Sequence, residues 1–545
     1  MGQSRALGLA SKVQRMQPIL APILPPDVSE ADFSRAIEAW IEAIGADNVL
    51  TGESVGQDYR DPYAVEPGSH QASAALLPGS TEDVQAIVRI ANQTGVPLHP
   101  ISRGKNNAYG GAGPRVSGAV IVDLGHRMNK VLEVNDDHGY AIIEPGVTYF
   151  DLHGYLKSID SRHWIDVPDL GWGSVLGNAT ERGRGYTPYG DHFGMQCGFE
   201  VVLPDGDVMR TGMGAMQNST TWSLFPYGFG PGSDPLFTQS NFGIVTKMGI
   251  QLMPAPPHAE TFLVTFDSED DLERIIDTMF PLRETGVFHN TPLLRNIVLD
   301  AAAMTRRSEW HEGTGPVPRE VIERIKKELN LGYWNLYFTL YGTHPTIDAA
   351  YGQIKEAFSQ IPRARFHTRQ ERTDPRGGHV LHDRHKINTG NPSMDEAHLV
   401  DWIGPHGGHI DFSPVSAPIG KETAKQAQMV RARAEQYGFD YVAQVIVGPR
   451  AIIHACLILF DTADPEDQRK ASEVCHALIK EAAAEGYGEY RTHTSLMDAV
   501  AATFNWNDGA LARFNNKLKD CLDPNGILAP GKSGIWPKRY RGRNL

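Results

Sequence analysis

The sequence predicts an α+β protein with two domains, and three observations support this fold class. A chain of 545 residues is longer than a single domain usually is. Before the proline cluster at 254–257, an amphipathic helical pattern is mixed with short apolar runs that are typical of buried strands. After that cluster, strand-like runs alternate with long helical patterns, which indicates a sheet backed by helices.

The first clear helix is predicted over residues 80–94. Ser80 and Asp83 resemble a capping box, in which each side chain binds the backbone N–H of the other residue. Apolar residues then recur at the spacing of one helix face, namely Val84, Ile87, Val88 and Ala91.

Three strand signals follow in the N-terminal part. Residues 119–124 and 140–144 are short apolar runs that predict buried strands. Residues 199–210 predict a hairpin, because two strand-like arms flank Asp205 and Gly206, a pair suited to the positive φ of a tight turn.

The second half contains three groups of strand and helix patterns. The predicted strands are 261–266, 334–341, 442–447 and 452–460, and the predicted helices are 269–279, 346–360 and 465–485. Residues 523–536, near the C-terminus, are rich in turn formers and by themselves predict a terminal loop.

Composition excludes several classes of partner. The net charge of −14 argues against binding to nucleic acid or to an anionic membrane. No run is apolar enough to span a bilayer, and the N-terminus lacks the apolar core of a signal peptide. Cys197, Cys456, Cys475 and Cys521 form no CxxC pair, which predicts free thiols in a reducing compartment. We therefore expect a cytoplasmic protein without a metal site.

The stretch 99–111 (HPISRGKNNAYGG) is the strongest candidate for a binding loop. Its glycines allow successive N–H groups to face one point and allow a ligand to approach the backbone closely. That arrangement suits a diphosphate, although the stretch matches neither the Walker nor the Rossmann glycine pattern. On these residues alone, a surface turn is slightly favoured.

This loop, together with residues 77–92 (LPGSTEDVQAIVRIAN) and 119–124 (AVIVDL), resembles the flavin-binding half of the vanillyl-alcohol oxidase / p-cresol methylhydroxylase family. Later segments resemble its 4-alkylphenol oxidase branch, and the resemblance covers about Pro25 to Leu545. It implies bound FAD and a homodimer or larger homo-oligomer. It also implies an N-terminal tail (1–25), an FAD-binding domain of the p-cresol methylhydroxylase type (26–256), an α+β cap domain with an antiparallel sheet (257–486) and a C-terminal return to the FAD-binding domain (487–545).

The resemblance assigns the covalent flavin link to His409. A lone histidine at a strand start is usually structural, but Gly407 and Gly408 directly before it leave room for a flat ligand. Because the p-cresol branch links its flavin through a tyrosine, His409 favours the oxidase branch. Further FAD contacts are implied for Ser102, Arg103, Gly104, Lys105, Asn106, Asn107, Gly110, Pro168, Gly177, Asn178, Gly243, Ile244, Arg491 and Lys532.

A phenol-binding site is implied by the same resemblance. It assigns Tyr109, Tyr490 and Arg491 to the phenol oxygen, where two hydroxyl donors and one guanidinium favour the ionised form. Without the resemblance, these residues would be read as ordinary packing and would not be connected.

Asp169 is implied to lie beside the reacting carbon, although an aspartate after proline is more often only a turn residue. A carboxylate there stabilises a quinone methide and takes a proton from the water that adds to it. Tyr186 is implied to line the pocket. Gln444 and Ile446 are two residues apart on a predicted strand and therefore share one face, which is implied to line the pocket too.

The implied reaction is the oxidation of para-substituted phenols such as eugenol, vanillyl alcohol and 4-alkylphenols. Hydride passes from the benzylic carbon to the flavin, a p-quinone methide forms, and O₂ is reduced to H₂O₂. Two alternatives stay open: a dehydrogenase that passes electrons to a cytochrome, and a flavin-binding protein without catalytic activity.

Arg184 and Asp411 depart from the family pattern, which generally has uncharged residues at both positions. Since a lone buried charge is costly, we expect the two side chains to pair with each other. The pair then either only reshapes the cavity, with Arg184 otherwise turned to solvent, or presents Arg184 to a carboxylated para side chain. In the second case, loss of CO₂ yields a 4-vinylphenol.

Overall fold

The computed structural model describes residues 23–66, 68–368 and 379–543, so most of the predicted tail lies outside the described residues. Its strands form two sheets in the N-terminal half, a short strand pair and one large antiparallel sheet. Helices pack on these sheets, and the predicted α+β class is confirmed.

The first sheet has four strands, with one antiparallel and two parallel pairings. Its spatial order is Val49–Thr51, Ala74–Leu76, Val120–Asp123 and Leu98–Ile101. Nearby lie the helices Glu30–Ile44, Glu53–Asp58 and Thr81–Thr94.

The helix predicted at 80–94 is confirmed, but its predicted capping box is only half formed. The Ser80 side chain accepts from the N–H of Asp83. The Asp83 carboxylate accepts from the N–H of Gly79 rather than from that of Ser80, so the second bond lies one residue earlier than predicted.

The second sheet has five antiparallel strands. Its spatial order is Val131–Asn135, Tyr140–Ile143, Ile244–Gln251, Gln196–Val202 and Val208–Arg210. The predicted hairpin is confirmed, because Val202 pairs with Val208 and Gly206 takes a φ of +85° in the turn. Close by are the pair His163–Trp164 with Met253–Pro254 and the helices Tyr149–Ser158 and Val175–Thr180.

The large sheet has nine strands in the described residues, and all its pairings are antiparallel. Its main order is Arg365–Phe366, His258–Phe266, Trp334–Gly342, Leu293–Asn296, Val442–Val447, Ile452–Asp461, Pro414–Ser416 and Gly488–Glu489, and Gly407–Phe412 also pairs with Ile452–Asp461. All four strands and all three helices predicted after the proline cluster are present.

Both faces of the large sheet are buried, and the residues of each strand alternate between them. Along Trp334–Gly342, for example, Phe338 joins one apolar core and Tyr337 joins the other. The helices that accompany this sheet are Leu272–Glu284, Ile297–Met304, Arg319–Leu329, His344–Phe358, His379–Asn388, Gly420–Gln436 and Pro465–Ala484.

The C-terminal segment is fixed to the first sheet rather than loose. After the helices Met497–Thr503 and Trp506–Leu522, the N–H of Leu98 donates to the carbonyl of Ile527 at 2.7 Å, and the N–H of Ala529 donates back at 2.8 Å. The stretch predicted as a terminal loop is therefore packed on the N-terminal half. The exact residue boundaries of the two domains stay predictions.

The structure also bears on the predictions about cysteines, membrane spans and metal ligands. All four cysteines are free thiols, and three of them are buried. Among the helices that the structure describes, none combines the length and the apolar composition that a bilayer span requires. No group of three metal-ligating side chains occurs within 23–66, 68–368 and 379–543.

Candidate active site

A cavity of about 460 Å³ is lined by loops of the N-terminal half and by strands of the large sheet. This volume is in the range of sites that hold a small molecule or part of a cofactor. Most of the lining residues come from the segments 99–109, 168–178, 184–186, 237–245, 396–400, 409–413, 444–446, 455–457, 490–494 and 529–532.

Residues 102–111, which we call the glycine loop, follow the strand Leu98–Ile101 and form one wall of the cavity. Gly104 has a φ of +58°, and a Cβ atom on it would lie 2.8 Å from the Cβ of Ala112. No protein acceptor in the described residues takes the N–H groups of Gly104, Lys105 or Asn106. Three consecutive backbone donors beside a cavity suit an anionic ligand such as a diphosphate.

The three residues predicted to bind a phenol oxygen all line the cavity. The guanidinium of Arg491 lies 3.9 Å from the centre of the Tyr109 ring, and its Nη2 donates to Oδ1 of Asn106 at 2.8 Å. Its buried Nε has no hydrogen-bond partner in the described residues. Tyr490, next in the chain, also lines the cavity. The positive charge of Arg491 therefore faces the cavity without a carboxylate bound to it.

The hydroxyl of Tyr109 is already engaged by a protein group. It donates to Oδ2 of Asp411 at 2.8 Å. Burial and, after it, the charge of Asp411 hold the pKa of Tyr109 well above its ordinary value, so this hydroxyl keeps its proton.

Asp169 belongs to a buried ion-pair network and does not act as a turn residue. Its two oxygens accept from the hydroxyl of Tyr186 and from Nη1 of Arg384, each at 2.7 Å. The side chain of Arg384 is only 1% exposed and also binds Asp383 at 2.8 Å and Glu396 at 3.2 Å. Asp169 is thus held in one orientation by two donors.

Arg384 and Glu396 were not predicted from the sequence. Arg384 lies 215 positions from Asp169 in the chain, and no spacing or motif connects the two. Glu396 also binds Nη1 of Arg295 at 2.7 Å, which extends the network behind the cavity wall. Only the packing of the helix His379–Asn388 brings these charges together.

Two family models match the chain. Residues 72–212 match the model described as "FAD binding domain", and residues 300–533 match the model described as "FAD linked oxidases, C-terminal domain". The glycine loop and Asp169 lie in the first match, while Arg384, His409 and Arg491 lie in the second.

Three relatives match nearly the whole chain. The 4-cresol dehydrogenase [hydroxylating] flavoprotein subunit of Pseudomonas putida is 38% identical over 522 residues, covering 94% of this chain and 98% of that protein. A structure of 4-ethylphenol oxidase from Gulosibacter chungangensis, in complex with isoeugenol, is 45% identical, with a TM-score of 0.93 over 95% of this chain and 100% of that one. The 1'-carboxy-chondrochloren decarboxylase of Chondromyces crocatus is 29% identical over 543 residues, covering 93% of this chain and 98% of that protein.

The chain belongs to the vanillyl-alcohol oxidase / p-cresol methylhydroxylase family. Membership makes it an FAD-dependent oxidoreductase of the phenol-oxidising type.

The residues predicted to contact FAD fit this family membership, with one exception. All of them line the cavity except Gly110. A Cβ atom on Gly110 would lie 2.2 Å from the hydroxyl oxygen of Thr494, so this glycine allows two protein segments to pack closely. Lys532 binds Glu181 at 2.7 Å at the cavity wall. The loop donors described above are the groups that would hold the diphosphate of the cofactor.

His409, the predicted flavin anchor of this family member, lies on the strand Gly407–Phe412 and lines the cavity. Its Nδ1 lies 2.8 Å from Oδ1 of Asp411, and the Tyr63 ring centre lies 5.5 Å from its own. The other ring nitrogen, Nε2, forms no hydrogen bond with a described residue. One nitrogen is therefore held by the protein, and the other is available.

The role predicted for Gly407 and Gly408 is wrong. A Cβ atom on Gly407 would lie 1.8 Å from the carbonyl oxygen of Val400, and one on Gly408 would lie 2.7 Å from the ring of Tyr63. These glycines make room for neighbouring parts of the protein and not for a flat ligand.

The predicted pairing of Arg184 with Asp411 is also wrong. Both oxygens of Asp411 are bound, one to His409 and one to Tyr109. Arg184 lines the cavity, its buried Nε has no hydrogen-bond partner among the described residues, and its backbone pairs with Asp191. Asp411 does share the strand face of His409, as predicted, but that face meets the glycine loop instead of Arg184.

The remaining pocket residues lie where the sequence placed them. Gln444 and Ile446 occupy one face of the strand Val442–Val447, and both line the cavity together with Tyr186. Ile446 and Tyr186 are buried in the same apolar cluster. They give the cavity an apolar wall beside the Asp169 network.

Proposed function

We propose that the protein is an oxidase of para-substituted phenols that uses FAD linked to His409 and passes electrons to O₂. The observation that carries this proposal is that one cavity is lined both by Arg491 with Tyr109 and Tyr490 and by Asp169. Substrates of the eugenol, vanillyl alcohol and 4-alkylphenol type have a phenol oxygen and a benzylic carbon that match these two sets of side chains. The free thiols agree with a cytoplasmic location, and we expect a homodimer or larger homo-oligomer.

We expect Arg491, beside Tyr109 and Tyr490, to stabilise the ionised form of the phenol substrate. Burial opposes the charged form of Arg491, but the neighbouring Tyr109 and Tyr490 oxygens raise its pKa above the ordinary value, so the guanidinium stays charged. A phenolate beside it gains a charge-assisted hydrogen bond that a neutral phenol does not gain. The phenolate then pushes electron density toward the para carbon and assists the departure of a hydride.

We expect Asp169 to stabilise the charge that develops at the benzylic carbon. FAD, when bound, would supply the acceptor for the hydride that leaves this carbon. Asp169, held by Tyr186 and Arg384, presents a fixed carboxylate to the electron-poor quinone methide that remains. The same carboxylate accepts a proton from water that adds to this intermediate.

The choice of O₂ as acceptor is supported by His409 and by the 45% identity to an oxidase, and it is opposed by the 38% identity to a dehydrogenase subunit. The test is to mix the purified protein with 4-ethylphenol and to measure O₂ uptake and H₂O₂. We expect one H₂O₂ for each phenol oxidised. Flavin reduction without O₂ uptake, together with reduction of cytochrome c, would show the dehydrogenase instead. A flavin that no phenol reduces would show the non-catalytic alternative.

We also propose that Arg184 selects substrates with a carboxylated para side chain. Arg184 lines the cavity and forms no ion pair with a described residue, whereas the positive charge of Arg384 is bound by three carboxylates. A guanidinium binds a carboxylate through two parallel hydrogen bonds. The whole-length likeness to a protein named as a carboxy-chondrochloren decarboxylase supports this substrate class.

A substrate such as 3-(4-hydroxyphenyl)propanoate then gives a balanced oxidation. It loses a proton from its phenol and a hydride from its benzylic carbon, which leaves a quinone methide with a carboxylate two carbons from the ring. Cleavage of the bond to CO₂ supplies two electrons that restore the aromatic ring. The products are CO₂ and 4-vinylphenol, and O₂ takes up the two electrons of the hydride.

The test compares this acid with 4-propylphenol in the wild type and in Arg184→Val. We expect the wild type to favour the acid in kcat/KM by roughly tenfold or more and the variant to lose this advantage, in line with one charge-assisted contact. Equal preference in both proteins would show that Arg184 only shapes the cavity. Formation of a hydroxylated acid without CO₂ would keep the binding role and reject the decarboxylation.

A further inference from the structure

Asp411 is the one residue in the described chain that binds both the proposed flavin anchor and the proposed phenol site. Its Oδ1 lies 2.8 Å from Nδ1 of His409, and its Oδ2 accepts from the hydroxyl of Tyr109 at 2.8 Å. Its side chain is 16% exposed, as is that of His409. Two bonds to opposite sides of the carboxylate fix its position and its plane.

The charge of Asp411 decides which nitrogen of His409 carries the proton. Burial alone raises the pKa of a carboxyl group, but the adjacent His409 and the Tyr109 hydroxyl bring the pKa of Asp411 below its ordinary value. An ionised carboxylate only accepts hydrogen bonds, so Nδ1 of His409 must donate. In a neutral imidazole the lone pair then lies on Nε2, the nitrogen that no described residue binds.

The neighbouring geometry keeps this arrangement in place. Tyr63 packs against the His409 ring at 5.5 Å between centres, in the space left by Gly408. Tyr109 is held in turn by Arg491, which lies 3.9 Å from its ring centre. The imidazole can neither rotate freely nor change its hydrogen-bond partner without breaking one of these contacts.

We propose that Asp411 is the positioning residue of the flavin anchor: it fixes the tautomer of His409 that presents the Nε2 lone pair to the cavity. This inference rests on the proposed role of His409 as the attachment site. Attachment would form a bond from Nε2 to a methyl carbon of the flavin. The methyl group would lose one proton and Nδ1 would lose another, the electron pair would reduce the flavin ring, and O₂ would reoxidise it. Only a nitrogen with a free lone pair can form this bond, so the wrong tautomer would direct the reactive nitrogen into the protein. A comparable loss of orientation at a catalytic histidine costs several orders of magnitude.

The experiment measures covalent attachment, not turnover. Wild type, Asp411→Asn and Asp411→Leu are expressed with FAD, and the fraction of denatured chains that keep one flavin is determined by mass spectrometry over time. Attachment should slow roughly 100-fold in Asp411→Leu, and less in Asp411→Asn, whose amide oxygen can still accept from Nδ1. Flavin that co-elutes with each native variant shows that folding and binding persist.

Tyr109→Phe is the graded comparison. It removes one of the two bonds that hold Asp411 but leaves the bond to His409, so attachment should slow less than in Asp411→Leu. Complete and equally fast attachment in Asp411→Leu would overturn the inference, as would equal slowing in all three variants. Peptide mapping of the wild type tests the proposed attachment site separately from the role of Asp411. Flavin linked to a residue other than His409 would reject His409 as the attachment site.

Discussion

Two arginines near the cavity differ in what binds their charge. Arg384 is 1% exposed, lies behind the wall and is bound by Asp169, Asp383 and Glu396. Arg491 lies on the wall, and its one side-chain hydrogen bond in the described residues goes to the neutral Asn106. Both lie near a tyrosine ring, at 5.3 Å for Arg384 and at 3.9 Å for Arg491.

This difference separates a structural charge from a binding charge. The charge of Arg384 is fully used to orient carboxylates of the protein, so a substrate gains little from it. The charge of Arg491 is not neutralised by a protein carboxylate in direct contact, so it is available to an anion that enters the cavity. Replacing each arginine should therefore affect a different property of the enzyme.

Replacement of Arg384 should have the largest effect, and the effect should be on stability. Arg384→Met leaves the buried Asp383 and Glu396 and the partly exposed Asp169 without their shared cation, which should lower the free energy of unfolding by about 3 to 5 kcal/mol. Thermal unfolding followed by flavin fluorescence measures this loss. Arg450→Met, at a position whose side chain is 78% exposed, is the control and should change stability by less than about 1 kcal/mol. Equal losses in the two variants would show that the network is not stabilising.

Replacement of Arg491 should instead affect chemistry. Arg491→Met should slow flavin reduction by a phenol roughly 100-fold, or about 3 kcal/mol in transition-state stabilisation, because the developing phenolate loses its cation. Anaerobic stopped-flow measures the reduction rate, and Arg491→Lys should recover part of it. In the wild type, the methyl ether of the same phenol should not react. A variant that reduces its flavin within threefold of the wild-type rate would contradict this role.

Asp169 should show a smaller effect on the same rate. Asp169→Asn keeps the size of the side chain and the neighbours Tyr186 and Arg384 but removes the negative charge, so reduction should slow by tens of fold, about 2 kcal/mol. The dissociation constant of the phenol should change little, because we expect Arg491, and not Asp169, to bind the phenol oxygen. If binding weakens and the reduction rate is unchanged, Asp169 belongs to the binding site and not to the chemistry.

The smallest expected effect is a pH dependence of stability that comes from Asp300, which Arg295 binds at 2.6 Å. Burial, partly offset by Arg295, raises the pKa of Asp300 to about 6 from 3.8. A carboxyl whose pKa is raised on folding adds stability below its unfolded pKa and loses it as pH rises through the folded value. Between pH 5 and 7.5 this loss is about 1 kcal/mol.

The check for Asp300 is to measure the unfolding temperature at both pH values in wild type and in Asp300→Asn. The variant should show a flatter dependence because it carries no titrating group at that site. The exposed Asp348→Asn should keep the wild-type slope. A variant with the same slope as the wild type would assign the dependence to other groups.

Local patterns predicted the strands and the long helices well, because each depends on residues close together in the chain. The strand predicted at 442–447 has those same bounds, and the hairpin turns at Gly206 as expected. The contacts of the charged side chains were predicted poorly. Arg384, which binds Asp169, is a helix residue 215 positions away in the chain, and no periodicity in the sequence predicts this contact.

Asp411 illustrates the same limit at short range. Its strand face was predicted correctly from its spacing to His409, but a face does not specify which loop will pack against it. The structure brings Tyr109 there and leaves Arg184 elsewhere on the wall. Local geometry thus gives the direction of a side chain, and the tertiary fold gives its partner.

We propose that the cavity binds its substrate as a phenolate beside Arg491. The ultraviolet difference spectrum of 4-tert-butylphenol, which has no benzylic hydrogen to lose, bound to the enzyme at pH 7, tests this binding mode. Free phenols of this type ionise near pH 10. We expect the bound molecule to absorb as the phenolate in the wild type and as the neutral phenol in Arg491→Met. A neutral phenol spectrum in the saturated wild-type enzyme would contradict the account.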